Sequence, residues 1–178
     1  MEQKTEIMFL TSTQKRIKLR QMKKADAGQA AAIEAMSSGE AWTADGYLDA
    51  LKNPNALYIV AEMDETVIGC CGLWQSFEDA DVCNVVIAPE FRRQGIARQM
   101  LLALFEMGKK VGIENFTLEV RKGNVPAIKL YEELGFVTEG IRKNFYDKPK
   151  EDALIMWKDR KRMEELPVFF LRQIRYNF

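Results

Sequence analysis

Histidine is missing from all 178 residues of the chain. Its absence excludes Ser-His-Asp and Cys-His nucleophile arrangements, the zincin motif and every imidazole general acid or base. Proton chemistry therefore falls to carboxylate, tyrosine, lysine, cysteine or backbone. Net charge is lacking too. Twenty-six basic residues balance 26 acidic ones, so no global field draws the molecule onto nucleic acid or an anionic membrane. Long apolar runs are also absent. Ile7-Met8-Phe9-Leu10 is too short for a signal peptide's apolar segment, and nothing approaches the ~20 residues of a membrane span. Cysteine is limited to Cys70, Cys71 and Cys83. On a strand, adjacent Cys70 and Cys71 point to opposite faces and cannot easily pair. Three thiols without histidine make a poor zinc site, and the apolar neighbours from Val67 to Leu73 suit reduced, buried thiols. These absences predict a soluble cytoplasmic protein without a bound metal.

What is present is ordinary globular material. A hydrophobic fraction of 47% with 29% charged residues can bury one sizeable core. Residues 1–14 read as a loose leader, and 158–178, with Pro167 and several aromatics, as an extension. That extension is either solvated or back-packed, or a contact for a partner or ribosomal RNA. Between them, a short strand at Ile17–Arg20 precedes an alanine-rich helix over 26–36. A second helix fits 43–51, capped by Thr43 and stopped by Asn53-Pro54-Asn55. Strands at 56–61, 67–73 and 82–88, joined by turns at Asp64-Glu65 and Glu78–Asp81, predict an antiparallel meander. The period then changes. Ala97, Met100, Leu101, Leu104, Phe105 and Gly108 recur at helical spacing over 94–110. A strand at 115–121, a helix capped by Asn124 and stopped by Gly135, and strands at 136–141 and 153–157 follow. A strand–helix–strand step of this length implies one parallel pair in a mostly antiparallel sheet, with helices on both faces: a single α/β domain.

Three segments could carry chemistry. In Val85-Val86-Ile87-Ala88-Pro89-Glu90-Phe91-Arg92-Arg93-Gln94-Gly95-Ile96-Ala97, a strand stops at proline, a basic turn follows, and glycine opens a long helix. Backbone amides at the positive end of a helix, with arginine beside them, suit a phosphate; a helix start with solvated arginines would look the same. Neither a Walker loop nor a dinucleotide fingerprint is present. In Leu118-Glu119-Val120-Arg121, a carboxylate sits mid-strand among apolar residues, either used in chemistry or neutralised by Arg121 on the same face. In Leu130-Tyr131, a tyrosine shares an apolar helix stripe, as a core residue or as a protonated phenol able to donate.

Together these segments resemble the GNAT N-acetyltransferase superfamily over residues 15–157. Arg92-x-x-Gly95-x-Ala97 resembles its acetyl-CoA pyrophosphate loop, and Asn124-x-x-Ala127-x-x-Leu130-Tyr131-x-x-x-Gly135-Phe136 its later coenzyme motif. Leu118–Arg121, Asn144-Phe145-Tyr146 and Glu151–Met156 look like the bacterial RimI-type branch, which acetylates the amino-terminal alanine of a small-subunit ribosomal protein. The branch often carries tyrosine where Phe145 stands, and glycine is commoner than Ala97. The resemblance implies the GNAT fold, with a splayed central parallel pair and acetyl-CoA in the cleft. It implies that the backbone of Val85, Val86 and Ile87 meets the pantetheine arm. Arg92, Arg93, Gln94, Gly95, Ile96, Ala97 and Arg98 would cradle the pyrophosphate, and Asn124 would add a coenzyme contact. It also implies Glu119, partly buried, as the base and Tyr131 as the acid, with Trp42 and Tyr146 beside the peptide. The implied partner is a protein amino terminus, not a nucleic acid or a membrane. A free small amine (polyamine, amino acid or aminoglycoside) and a non-catalytic CoA-binding or ribosome-associated module are the alternatives.

Overall fold

A computed structural model describes residues 6–37 and 41–158. Eight strands form one open sheet: β1 (Ile7–Leu10), β2 (Arg16–Gln21), β3 (Ala56–Met63), β4 (Thr66–Ser76), β5 (Asp79–Ile87), β6 (Asn115–Arg121), β7 (Val137–Asp147) and β8 (Lys150–Lys158). Their order is β1-β2-β3-β4-β5-β6-β8-β7, and β5 with β6 is the parallel pair. Helices α1 (Ala27–Ala35), α2 (Ala44–Ala50), α3 (Ile96–Lys110) and α4 (Val125–Glu133) complete the α/β domain.

Strand alternation divides the core between the two faces. Ile59, Ala61 and Cys71 pack with Met100, Leu104 and Phe105 of α3 and with Tyr131 of α4. Tyr58, Val60 and Cys70 pack instead with Ala30 and Ile33 of α1 and with Tyr47 and Ala50 of α2. The neighbouring Cys70 and Cys71 thus face opposite ways, and all three cysteines are free thiols. Thr43 caps α2 through its hydroxyl, which accepts from the Gly46 amide at 3.1 Å. Gly135, at φ 91°, closes α4 with bonds from Gly135 N to Glu132 O and from Phe136 N to Tyr131 O, a Schellman end.

Several boundaries differ from the sequence reading. Ile7–Leu10, expected within a loose leader, pairs antiparallel with β2 from Ile7↔Leu19 to Leu10↔Arg16. Four consecutive apolar residues carry no alternation to announce such an edge strand. The β4–β5 turn lies at Phe77–Glu78, so Asp79, Ala80 and Asp81, expected in an acidic turn, belong to β5. β7 and β8 extend to a hairpin at Asp147↔Lys150, well beyond the apolar stretches that announced them. The extension expected from residue 158 onward lies, but for Lys158, outside the described residues. Among the described residues, no helix is long and apolar enough to cross a membrane.

Candidate active site

The cleft begins where β5 and β6 stop pairing. Only Asp79↔Asn115, Ala80↔Phe116 and Asp81↔Thr117 are in register; beyond them the strands diverge. β6 remains paired on its other edge with β8, from Phe116↔Lys158 to Arg121↔Ala153. β5 also carries a bulge. Cys83 faces Gly72 and Val86 faces Cys70, so Asn84 and Val85 together oppose Cys71. Asn84 takes the left-handed φ of 51° that this geometry requires. Val85 and Val86 therefore lie half-buried at the open edge of β5, beside a sheet that has lost its next strand.

Past β5 the chain turns through Pro89–Phe91 and enters the loop before α3. Two left-handed residues, Arg93 at φ 61° and Gly95 at φ 81°, shape this loop. The first helical bond runs from Gln99 N to Gly95 O at 3.2 Å. The amides of Ile96, Ala97 and Arg98 thus have no partner within the helix and sit at its positive end. A methyl group built on Gly95 meets nothing within 4 Å, so the space beside this residue is open. Gln94 is fixed from both ends, with Oε1 accepting from Thr13 Oγ1 at 2.8 Å and Nε2 donating to Glu90 O at 3.2 Å. Arg92 differs from expectation. Its guanidinium folds back, with Nε donating to Ile87 O at 3.0 Å and Nη2 to Ser37 Oγ at 2.8 Å. It braces the end of β5 against the end of α1, and the Ile87 carbonyl is already engaged.

Glu119 projects from β6 on the face opposite Leu118 and Val120, the one shared with α1 and α2. The sequence reading has it partly buried and offers Arg121 as the cation that could neutralise it; the ion pair with Arg121 does not form. The Glu119 side chain is 36% exposed, and its partner is Arg142 of β7, whose Nη1 donates to Oε1 at 2.7 Å. Arg121 pairs instead with Glu151 at 3.3 Å and donates to the carbonyls of Pro149 and Lys148, clamping the β7–β8 turn. Arg121 also stacks 4.0 Å from the centre of the Tyr146 ring, and Tyr146 Oη donates to Glu119 O at 3.3 Å. Asp81, the last residue of β5 to pair with β6, lies on the same face. Partial desolvation raises its carboxyl above the usual carboxylate range, and the charges of Glu119 and Asp79 add to that shift.

Tyr131 is buried, and its ring packs edge-on to Phe136 at 5.8 Å. Burial raises its phenol far above the ordinary 10, reinforced by Cys71 of β4 and Tyr146 of β7. The phenol is a protonated donor at any physiological pH. Asn124 caps α4 as expected, with Oδ1 accepting from Ala127 N at 3.3 Å, which occupies the oxygen otherwise available to a ligand. Trp42 packs against Tyr47, Tyr58 and Trp74 with centroids 5.5–6.4 Å apart, and with Trp74 lines a surface cavity of about 410 Å³. Trp74 is the direct cross-strand neighbour of Asp81, so this aromatic wall adjoins the fastened end of the cleft.

The sequence reading missed Arg142 and Trp74. Arg142 lies 23 residues from Glu119 along the chain, and only the β6-β8-β7 order brings the two together.

An open mixed sheet with one parallel pair, which parts beyond Asp81, is the architecture of solved N-acetyltransferases. The chain belongs to the Acetyltransferase (GNAT) family, which it matches over residues 21–136. A Bacillus subtilis (strain 168) relative provisionally named a [ribosomal protein bS18]-alanine N-acetyltransferase is 40% identical over 140 residues, 78% of this chain and 93% of that protein. The [ribosomal protein bS18]-alanine N-acetyltransferase of Escherichia coli (strain K12) is 41% identical over 81 residues, 44% of this chain and 55% of that protein. The crystal structure of the ribosomal-protein-S18-alanine N-acetyltransferase from Escherichia coli superposes with a TM-score of 0.74 at 27% identity, over 80% of this chain and 93% of that one.

Proposed function

We propose that the protein acetylates the α-amine of a protein amino terminus, the amino-terminal alanine of ribosomal protein bS18. Two curated relatives carry that name, one of them aligned over 93% of its own length. Such an acceptor makes the cytoplasm the place of reaction. The observation that carries the chemistry is the availability of two groups: Glu119, an exposed carboxylate on β6, and Tyr131, a buried protonated phenol on α4.

The chain fits a coenzyme A thioester. The edge of β5 at Val85 and Val86 offers backbone groups to an extended arm, and the loop from Arg93 to Arg98 offers amides and positive charge to a diphosphate. Acetyl-CoA, when bound, supplies an acetyl group activated as a thioester. The rest falls to side chains. An α-amine has a pKa of about 8 and is mostly protonated at neutral pH, so a base must take one proton before nitrogen can attack. Glu119 takes it, directly or through one water, exchanging part of its bond to Arg142 for the ammonium. Tyr131 gives its proton to the departing sulfur. By the chain's resemblance to the family, Trp42 and Tyr146 would line the acceptor's path.

The deciding experiment incubates the protein with acetyl-CoA and peptides differing in their first residue, alongside spermidine, free amino acids and an aminoglycoside, and reads products by mass spectrometry. Acetylation of the alanine peptide above all others is expected. Turnover of a small amine with no peptide product would replace the acceptor and leave the acetyl transfer standing. Coenzyme binding with no turnover of any amine would leave a coenzyme-binding module.

A further inference from the structure

Beneath the bulge of β5 lies a buried polar network outside the acetyl-transfer scheme. Glu34 of α1 is only 6% exposed, a carboxylate sunk against the face of the sheet. Asn84, the bulge residue itself, donates from Nδ2 to Glu34 Oε1 at 3.1 Å and Oε2 at 3.4 Å. Tyr47 Oη donates to Glu34 Oε2, and Tyr58 Oη donates to Asn84 Oδ1 at 3.1 Å. Trp74 Nε1 in turn donates to Tyr58 Oη at 3.0 Å. Tyr47 and Tyr58 are essentially inaccessible to solvent. Every arrow in this chain points toward Glu34, which as a carboxylate accepts only.

We propose that Glu34 is a positioning residue: acting through Asn84, it fixes the bulge of β5 and so aims the Val85 and Val86 backbone into the cleft. This rests on the proposed function only in taking that backbone to be where the thioester arm lies. A left-handed φ on a non-glycine residue persists where surrounding contacts over-determine it, and both ends of the Asn84 amide are held here. The polarity of the network is fixed as well. In Glu34→Gln the new NH2 either faces the Asn84 amide, donor against donor, or takes the Tyr47 side, where the phenol must turn its own proton from a carboxylate to the weak acceptor Cys70 Sγ at 3.3 Å. Adding Asn84→Asp restores the match. The introduced amide would then donate to the introduced carboxylate while accepting from Tyr47, and that carboxylate would still accept from Tyr58. The buried charge would move from one residue to the other without changing in number.

The test compares wild type, Glu34→Gln, and the exchanged pair Glu34→Gln with Asn84→Asp. Two readouts are taken: deuterium exchange in segment 82–88 without ligand, and the calorimetric affinity for acetyl-CoA. In Glu34→Gln, exchange in 82–88 is expected to quicken about tenfold while segment 57–62 keeps its protection, and acetyl-CoA to bind about tenfold more weakly, the scale of one mispaired buried group. The exchanged pair is expected to recover both to within about threefold of wild type, as a matched network should. Unchanged exchange and affinity in Glu34→Gln would overturn the proposal, as would uniform loosening of both segments or an exchanged pair no better than the single variant. If Glu34→Gln does not fold, the exchanged pair decides alone: wild-type protection and affinity support the proposal, and their loss overturns it. A wild type that binds no acetyl-CoA refutes the proposed function, while the exchange data still judge the role of Glu34.

Discussion

Arg142 reaches across from β7 to hold Glu119 at 2.7 Å, and the two side chains remain 57% and 36% exposed. Exposed pairs of this kind contribute about 0–1 kcal/mol, so the contact acts on orientation more than on stability. Glu119→Gln is expected to lower kcat by about two orders of magnitude with acetyl-CoA affinity nearly unchanged, the lower range for loss of a general base. Arg142→Ala is expected to keep the wild-type Tm within a few degrees and reduce kcat/KM for the peptide about fivefold to tenfold, through a carboxylate no longer held in place. Steady-state kinetics on both variants checks this. Equal losses would move the leading role from the carboxylate to the guanidinium.

Gly72 lies directly under Tyr58. A Cβ there would stand 2.3–2.6 Å from three atoms of that ring, which is itself enclosed by Tyr47 and Trp42. Gly72→Ala is expected to cost about 1–3 kcal/mol by overpacking, several degrees of Tm for a chain of this size. It should also weaken acetyl-CoA binding, because the displaced Tyr58 hydroxyl serves Asn84. Calorimetric unfolding and a binding isotherm report the two effects separately.

Gly95 gives the opposite case. Nothing lies within 4 Å of a Cβ built there, yet its φ is 81°. Gly95→Ala is thus expected to cost about 1 kcal/mol of stability through left-handed backbone alone. Strain there would also disturb the loop that presents the first amides of α3, so acetyl-CoA should bind at least about tenfold more weakly. A titration showing unaltered affinity would place the diphosphate elsewhere.

Alkaline pH should unfold the protein early. Burial pushes Cys70 and Cys83 from an ordinary 9.0 to about 12, and Cys71 well upward. The unfolded chain releases these protons near 9 while the folded chain keeps them. The unfolded state then binds fewer protons, and stability falls with rising pH between about 9 and 12. Lys158 runs the other way. Burial lowers it from 10.5 to about 8, so its penalty is relieved as pH rises through that window. Three thiols outweigh one amine. Scanning calorimetry should find Tm nearly level from about pH 7 to 9 and dropping steeply above. The same burial predicts slow reaction of all three thiols with a disulfide reagent at about pH 8 in the native state.

The helices α3 and α4 were legible because their apolar residues recur at helical spacing and their ends carry Gly95, Asn124 and Gly135, whose geometry is local. The three-strand meander was legible for a similar reason: Asp64 and Glu65 supply the two left-handed residues of a tight hairpin. The contacts that make the site were not. Glu34 sits in an alanine-rich helix, and its polar partners Tyr47 and Asn84 lie 13 and 50 residues further on. Arg121 is the nearest cation to Glu119 along the strand, yet the β7–β8 turn claims it, and sequence spacing carries no record of that competition. The bulge is equally silent, because one surplus residue in β5 appears only when counted against β4.

The three fastened pairs at Asp79–Asp81 give the two half-sheets a common pivot. From Asp81 to Ile87 the stretch of β5 that is held by β4 alone runs six residues, about 20 Å at strand spacing. One degree of rotation at the pivot therefore moves the far tip by about 0.35 Å, on the leverage of a pair of tongs. Side-chain changes far from the coenzyme, at Asn115 or Thr117 beside the pivot, acquire a long mechanical reach.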